Sequence, residues 1–140
     1  MSRIFWDTNL FIYLFEDYGE LSQRVADLRR RILSRGDQLF TSTLSLGEIL
    51  VKPIEKGSDA LWRSYEEALS LTTVLLPFDQ PAARIYASIR RDRTIKAPDA
   101  IQLACAAQAK IDLFISNDEQ LSGKIVPGIQ FIAPLRGAFL

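Results

Sequence analysis

No histidine occurs anywhere in the 140 residues, and cysteine occurs once, at Cys105. The first absence excludes a Ser-His-Asp or Cys-His nucleophilic mechanism and any His-containing zinc site within this chain. The second excludes an internal disulfide. An excess of one charge sign is also lacking. Lys plus Arg and Asp plus Glu both number 17, which argues against a chain that grips a polyanion through bulk positive charge. No apolar run approaches the length of a membrane span. No charged n-region followed by an apolar h-region opens the sequence, so the expected setting is reducing and cytoplasmic, with no membrane partner. What remains is carboxylate or metal chemistry. At 48% hydrophobic and 24% charged, the chain is long enough for one domain with a real core, expected to span residues 1–140.

Local patterning alternates short apolar runs with helical periodicity. Arg3 to Asp7 reads as a buried strand, and Thr8 or Asn9 can cap the apolar segment Leu10 to Phe15. Leu21, Val25, Leu28 and Ile32 recur at helical spacing until Gly36 closes the segment. A strand over Gln38 to Thr41 leads through the cap candidates Ser42 and Thr43 into a helix to about Lys52, where Pro53 and Gly57 are expected to break the chain. Ser58 then begins a more solvated helix, Thr73 to Phe78 is a β-rich run, and Asp79 with Pro81 starts another helix. Pro98 suits the first turn of a helix through about Ala109 that is apolar on nearly every side, as a central buried helix would be. Leu113 to Ser116 and Gln130 to Ile132 complete the strands. Such alternation implies an α/β sandwich with a mainly parallel central sheet flanked by helices, whose ligands bind outside the carboxyl ends of the strands.

Four acidic residues fall where such a sheet can collect them. Asp7 and Asp118 follow apolar strands, Asp99 lies in the first turn of the buried helix beside Leu103 and Ala106, and Glu48 shares an apolar stripe with Leu44 and Val51. A charge taken out of water costs several kcal/mol unless it is paired or bound to a metal. The arginines nearest in sequence, Arg3 and Arg93, flank these motifs rather than interleave with the acids. Oxygen-only clusters of this kind suit Mg²⁺ or Mn²⁺. Each acid also has a local reading: Asp7 as a turn or cap residue, Asp99 as a favourable charge at a helix N-terminus, Asp118 as the cap of a short turn, Glu48 as a wet residue at a loosely packed helix end. Asp112, in a Lys-Ile-Asp turn, reads as structural. Thr8, Asn9, Ser116 and Asn117 can orient the carboxylates by hydrogen bonding or simply make turns. Trp6 and the Phe11 to Phe15 run fit either base stacking or core. The basic clusters Arg24, Arg29, Arg30, Arg31, Arg35 and Arg90, Arg91, Arg93, Lys96 fit solvated helix faces or a local polyanion patch.

Taken together, the motifs resemble the PIN-domain ribonucleases, and among them the small VapC-like toxins, over essentially the whole chain. The resemblance rests on Asp7-Thr8-Asn9, on Ser45-x-x-Glu48, on Ala97-Pro98-Asp99-Ala100-x-Gln102-Leu103-Ala104 and on Ser116-Asn117-Asp118, in that order. It implies a three-layer PIN-like sandwich. It further implies that Asp7, Glu48, Asp99 and Asp118 match the family's acidic positions, which bind Mg²⁺ or Mn²⁺ and support endonucleolytic cleavage of RNA. A homodimer and a small antitoxin lying over the site are implied as partners. Ser116 stands where Thr is more usual in the family, and zero net charge leaves the RNA-binding surface undefined.

Two other folds that gather acids fit less well. A HAD-like phosphatase needs a second Asp two residues after the first, and here that position is Asn9. A receiver domain needs a phosphoacceptor Asp and a partner Lys with no matching placement. The alternative within the resemblance is a catalytically silent PIN-like module that binds RNA or protein.

Overall fold

The computed structural model describes residues 1–138, so the last two positions of the expected 1–140 domain lie outside the described residues. Strands β1 (Arg3–Trp6), β2 (Gln38–Ser42), β3 (Val74–Leu76), β4 (Leu113–Ser116) and β5 (Phe131–Pro134) form one sheet in the order β3-β2-β1-β4-β5. Every adjacent pair is parallel. The crossovers carry helices α1 (Thr8–Phe15), α2 (Glu20–Arg35), α3 (Thr43–Glu55), α4 (Asp59–Thr72), α5 (Gln80–Ile89) and α6 (Ala97–Gln108). Short 3₁₀ turns follow β4 and β5, at Glu119–Leu121 and Leu135–Gly137. The chain runs outward from β1 to β3 and then returns to β4 on the other side of β1. Between β1 and β4 the strand order therefore reverses, and this is the crevice where parallel sheets place their ligands.

Period-two alternation sorts the strand side chains into two cores. Phe5, Phe40 and Phe114 point to one face, where they meet Leu103, Ala104 and Ala107 of α6 and Ala82 of α5. Ile4, Trp6, Leu39 and Ile115 point to the other, against Leu10 and Phe11 of α1, Val25, Leu28 and Ile32 of α2, and Ile49 of α3. The result is the α/β sandwich expected from the alternation, in the three layers that the resemblance implied. Phe5 and Phe114 are direct register partners, and their rings stack with centroids 5.0 Å apart, worth about 0.5–1.5 kcal/mol beyond the area they bury. Trp6 and Phe11 are fully buried, which removes them as base-stacking surfaces and leaves them as core.

Several boundaries differ from the sequence expectation. The first helix begins at Thr8 because Asp7, not Thr8 or Asn9, caps it. Pro53 does not stop α3, which runs to Glu55. Its ring forfeits one backbone donor, but it lies buried in the last turns, and its carbonyl still accepts from the Ser58 amide at 3.1 Å. The β-rich run Thr73 to Phe78 pairs only over Val74–Leu76, and the last strand is shifted to Phe131–Pro134. Gly36 closes α2 as expected, in the left-handed conformation, with its amide on the carbonyls of Ile32 and Leu33. Asp112 is structural: it accepts from the Arg3 amide at 2.8 Å and ties the start of β1 to the start of β4. Among the described residues no helix is long and apolar enough to cross a membrane.

Gly128 closes the approach to β5. Its φ is +99°, and a Cβ there would lie 2.6 Å from the Ala107 carbonyl oxygen at the end of α6. Gly128→Ala combines a disfavoured dihedral with a backbone clash that no side-chain rotation relieves. It should therefore destabilise the fold by roughly 2 kcal/mol or more in chemical denaturation. A loss within about 0.5 kcal/mol, the range of ordinary surface substitutions, would show that the turn relaxes freely.

Candidate functional site

The last residues of β1, β2 and β4 end beside one another, and the side chains that follow them close over the β1/β4 switch point. A cavity of about 250 Å³ there is lined by Asp7, Thr8, Asn9, Ile12, Glu48, Pro98, Asp99, Gln102 and Asp118. The fold thus brings all four sequence-selected acids to one space. Larger cavities lie elsewhere, including one of about 890 Å³ along the β5 edge that is lined by none of these acids.

Asp7 is the most confined of the four, only 7% exposed. Its Oδ1 accepts from the Thr8 amide at 2.8 Å and its Oδ2 from the Ser116 hydroxyl at 2.7 Å. Ser116 in turn accepts from the Asp118 amide at 3.0 Å, so one hydroxyl at the end of β4 links two of the acids. Asp118 caps the following 3₁₀ turn through Oδ1, which accepts from the Gln120 amide at 3.1 Å. Asp99 enters from the first turn of α6, half-buried, on the stripe that continues as Leu103 and Ala106. Asn9 Oδ1 accepts from the Asn117 amide at 3.3 Å, and Asn117 Nδ2 donates to the Tyr13 hydroxyl at 3.0 Å. Ser116 and Asn117 thus brace the cavity without lining it.

Glu48 departs from the expected inward stripe, for it is exposed, as is Val51 one turn on. The core-facing side of α3 is Ser45, Ile49 and Pro53 instead. That face is disguised in the sequence because its first member is polar and its last is a helix breaker. Ser45 is polar for a reason, since it belongs to a fully buried cluster with Thr41, Ser42 and Gln102. Gln102 Nε2 lies 3.0 Å from Thr8 Oγ1 and 2.8 Å from Ser45 Oγ, and Ser42 Oγ donates to Gln102 Oε1. Thr8 Oγ1 donates to Glu48 Oε1 at 2.6 Å. Sequence reasoning assigned no role to Thr41 or Gln102 and read Ser42 only as a cap, although Ser42 also caps α3 as expected. A signal was present: a Gln inside an Ala-rich helix that is apolar on nearly every side needs buried partners.

The electrostatics follow from crowding. Burial pushes the Asp7 carboxyl above the usual carboxylate range, outweighing the hydrogen bonds from Ser116 and Thr8, with the charges of Glu48 and Asp118 adding to it. Asp99 is pushed up to about 6, first by burial and then by the charges of Asp7 and Asp118, with Lys96 opposing. Among the described residues the ion pairs involve none of the four acids. Several arginines of the basic clusters are used locally: Arg30 on Asp27, Arg35 on Asp37, Arg90 on the Ile95 carbonyl and Arg91 on Ser88. Nor, among the described residues, do three or more of the acids stand in a ready ligand cage. Asp7, Glu48 and Asp118 instead accept from hydroxyl and amide donors. The donor set, all oxygen and without a compensating cation, fits a hard divalent ion.

The family profile described as PIN domain matches residues 4–124. No curated protein sequence matches the chain. Among solved structures, the chain is similar to VapBC2 from Rickettsia felis bound to a DNA fragment from its promoter, at 11% identity, TM-score 0.74, over 94% of this chain and 97% of that one. It is similar to DNA-bound VapBC from Salmonella typhimurium at 19% identity, TM-score 0.70, over 96% and 99%. A toxin-antitoxin complex from Klebsiella pneumoniae matches at 22% identity, TM-score 0.66, over 90% and 94%. At these identities the likeness is one of fold.

A carboxyl raised in the folded protein binds more protons than it does unfolded, over the interval between its two pKa values. Stability then falls as pH rises through that interval. For Asp99 the interval runs from the ordinary 3.8 to about 6. In metal-free protein, Asp99→Asn should therefore raise the melting temperature relative to wild type more at about pH 7 than at about pH 4. Melts in chelator at both values check this, and an equal difference at the two would mean that Asp99 is not held up by its neighbours.

Proposed function

The chain belongs to the PIN-domain family, and from that premise we propose that it is a metal-dependent endoribonuclease, the toxin of a toxin-antitoxin pair. The observation that carries the reading is Asp7, a buried carboxylate at the strand-order switch point, facing Glu48, Asp99 and Asp118 across one small cavity, with no ion pair to any of the four among the described residues. Asp7, Asp99 and Asp118 would hold Mg²⁺ or Mn²⁺ directly or through water, and Glu48 would be a further ligand or the group that orients the attacking water. Bound there, a divalent ion supplies Lewis-acid stabilisation of charge on the transferring phosphoryl group and lowers the pKa of a water.

The chain's own groups divide the remaining work. Ser116 and the Thr8 amide hold both oxygens of Asp7, fixing its orientation before any ligand arrives. The Thr8 hydroxyl does the same for one oxygen of Glu48. Asp118 is held by the turn it caps, through Oδ1. Without a cation the cavity repels a phosphodiester, so binding of RNA close to these carboxylates is coupled to their neutralisation.

For partners, the reading includes a homodimer and a small antitoxin that presents a basic side chain to the acidic cavity. The resemblance to VapC-like toxins supports both. Charge complementarity supports the second, since a Lys or Arg would supply the cationic partner that none of the four acids has in an ion pair among the described residues. Such a side chain would compete with the metal.

Purified protein incubated with defined RNAs should cleave them in Mn²⁺ or Mg²⁺ and stop in chelator. Asp7→Asn, Asp99→Asn and Asp118→Asn should each lower the cleavage rate by roughly a hundredfold or more, and Glu48→Gln by at least tenfold, as expected for the loss of metal or transition-state interactions. Folded wild-type protein that binds RNA or protein but never cleaves, at any metal concentration, would favour a non-catalytic binding module. Wild-type-like cleavage by any two of the four variants would remove the metal assignment.

A further inference from the structure

The buried cluster behind the cavity has a direction, and Gln102 sets it. Its carboxamide is 1% exposed and lies within hydrogen-bond distance of Thr8, Ser42 and Ser45. Each hydroxyl has one proton, which limits the arrangements. Thr41 is 2.8 Å from the Trp6 carbonyl, an acceptor only, so its proton goes there. The 2.8 Å contact between Thr41 and Ser45 then requires Ser45 to donate. With its own proton committed, Ser45 can only accept from Gln102, and so the nitrogen of the carboxamide faces it. The second proton of that nitrogen reaches Thr8 Oγ1 at 3.0 Å, and the oxygen accepts from Ser42. Thr8, already accepting, turns its proton to Glu48 at 2.6 Å. The remaining 3.1 Å approach of Thr8 to Ser45 carries no proton.

Reversing the amide breaks this pattern at two contacts. The oxygen would then draw the protons of both Thr8 and Ser45. Thr8 would turn lone pairs toward the Glu48 carboxylate, and the Ser45–Thr41 contact would have no proton between its oxygens. Both contacts are too close to be tolerated without one.

We propose that Gln102 is a positioning residue whose carboxamide fixes the direction of the Thr8 hydroxyl and, through it, holds the Glu48 carboxylate at the rim of the acidic cavity. This rests on the metal-dependent reading of that cavity. The arrangement explains how an exposed glutamate on α3 that forms no ion pair among the described residues is held: its orientation is set from a buried residue of α6, by way of α1.

The test is a Mn²⁺ titration of the full chain by electron paramagnetic resonance, with RNA cleavage measured alongside as kcat and KM. Gln102→Met keeps the volume and removes the amide, Thr8→Val removes the hydroxyl, and Thr8→Ser restores it. Gln102→Met and Thr8→Val should each weaken Mn²⁺ binding or lower kcat by about tenfold, the usual consequence of losing a hydrogen bond to a ligand, with KM for RNA little changed. Their double variant should be no worse than Thr8→Val alone, and Thr8→Ser should recover most of the loss. Neither change should matter once Glu48 is Gln. If Gln102→Met does not fold, Gln102→Asn, which keeps the amide but withdraws it, takes its place.

Variants that melt earlier yet keep Mn²⁺ affinity and kcat within about twofold, well short of a ligand-support effect, would reduce Gln102 to a core residue and overturn the proposal. So would additive losses in the double variant. A wild type that neither binds Mn²⁺ nor loses anything on Glu48→Gln would instead overturn the metal-dependent reading, and this inference with it.

Discussion

Asp7 keeps a carboxylate where water scarcely reaches and where, among the described residues, no Lys or Arg pairs with it. A lone ion in such a place costs several kcal/mol even after the protein relaxes. The fold meets that cost only in part. The Ser116 hydroxyl and the Thr8 amide supply two donors, yet burial still pushes the carboxyl above its usual range. The surroundings worsen the problem rather than relieve it, because Asp99, Asp118 and Glu48 line the same cavity. In the reading proposed above, a divalent cation would be the ligand that offsets this cost.

The position of that strain is dictated by topology. With strands in the order β3-β2-β1-β4-β5, the chain leaves β1 and β4 for opposite sides of the sheet, and the gap between their ends cannot be filled by a crossover. Asp7 and Ser116 stand at that gap because they end or follow those strands. Two apolar cores, one on each face, hold the strand ends in register, so the site is built on packed elements rather than on loops alone. The serine and threonine hydroxyls at the ends of β2 and in the first turns of α1 and α3 mediate between core and site. They are buried, they are paired, and they connect Gln102 to Glu48.

Much of this was legible in the sequence, for identifiable reasons. Strands buried on both faces read as short apolar runs, and α6 announced itself by being apolar on nearly every side, so the α/β sandwich followed. The meeting of Asp7, Glu48, Asp99 and Asp118 at one cavity was anticipated from the set rather than from any single acid, since Asp7 and Asp99 each also had a cap or helix-dipole reading. Glu48 was misplaced onto an inward stripe because helical periodicity weighs Leu44 and Val51 as core and Ser45 as surface, whereas tertiary pairing buries Ser45 and leaves Val51 exposed. Pro53 misled for a similar reason: propensity treats it as a stop, but the packed last turns of α3 accommodate its missing donor. The Gln102 relay was invisible to pattern reading, since its members are separated by up to 94 residues and meet only once the sheet has formed.

The claim that a divalent cation completes this cavity is tested most directly by diffraction from crystals soaked in Mn²⁺, with data collected at the manganese absorption edge. The account predicts an anomalous peak among Asp7, Asp99 and Asp118, at oxygen-ligand distances for a hard cation, and its disappearance in Asp99→Asn crystals. An empty cavity at saturating Mn²⁺, or a Lys or Arg side chain of the same chain filling it, would contradict the account.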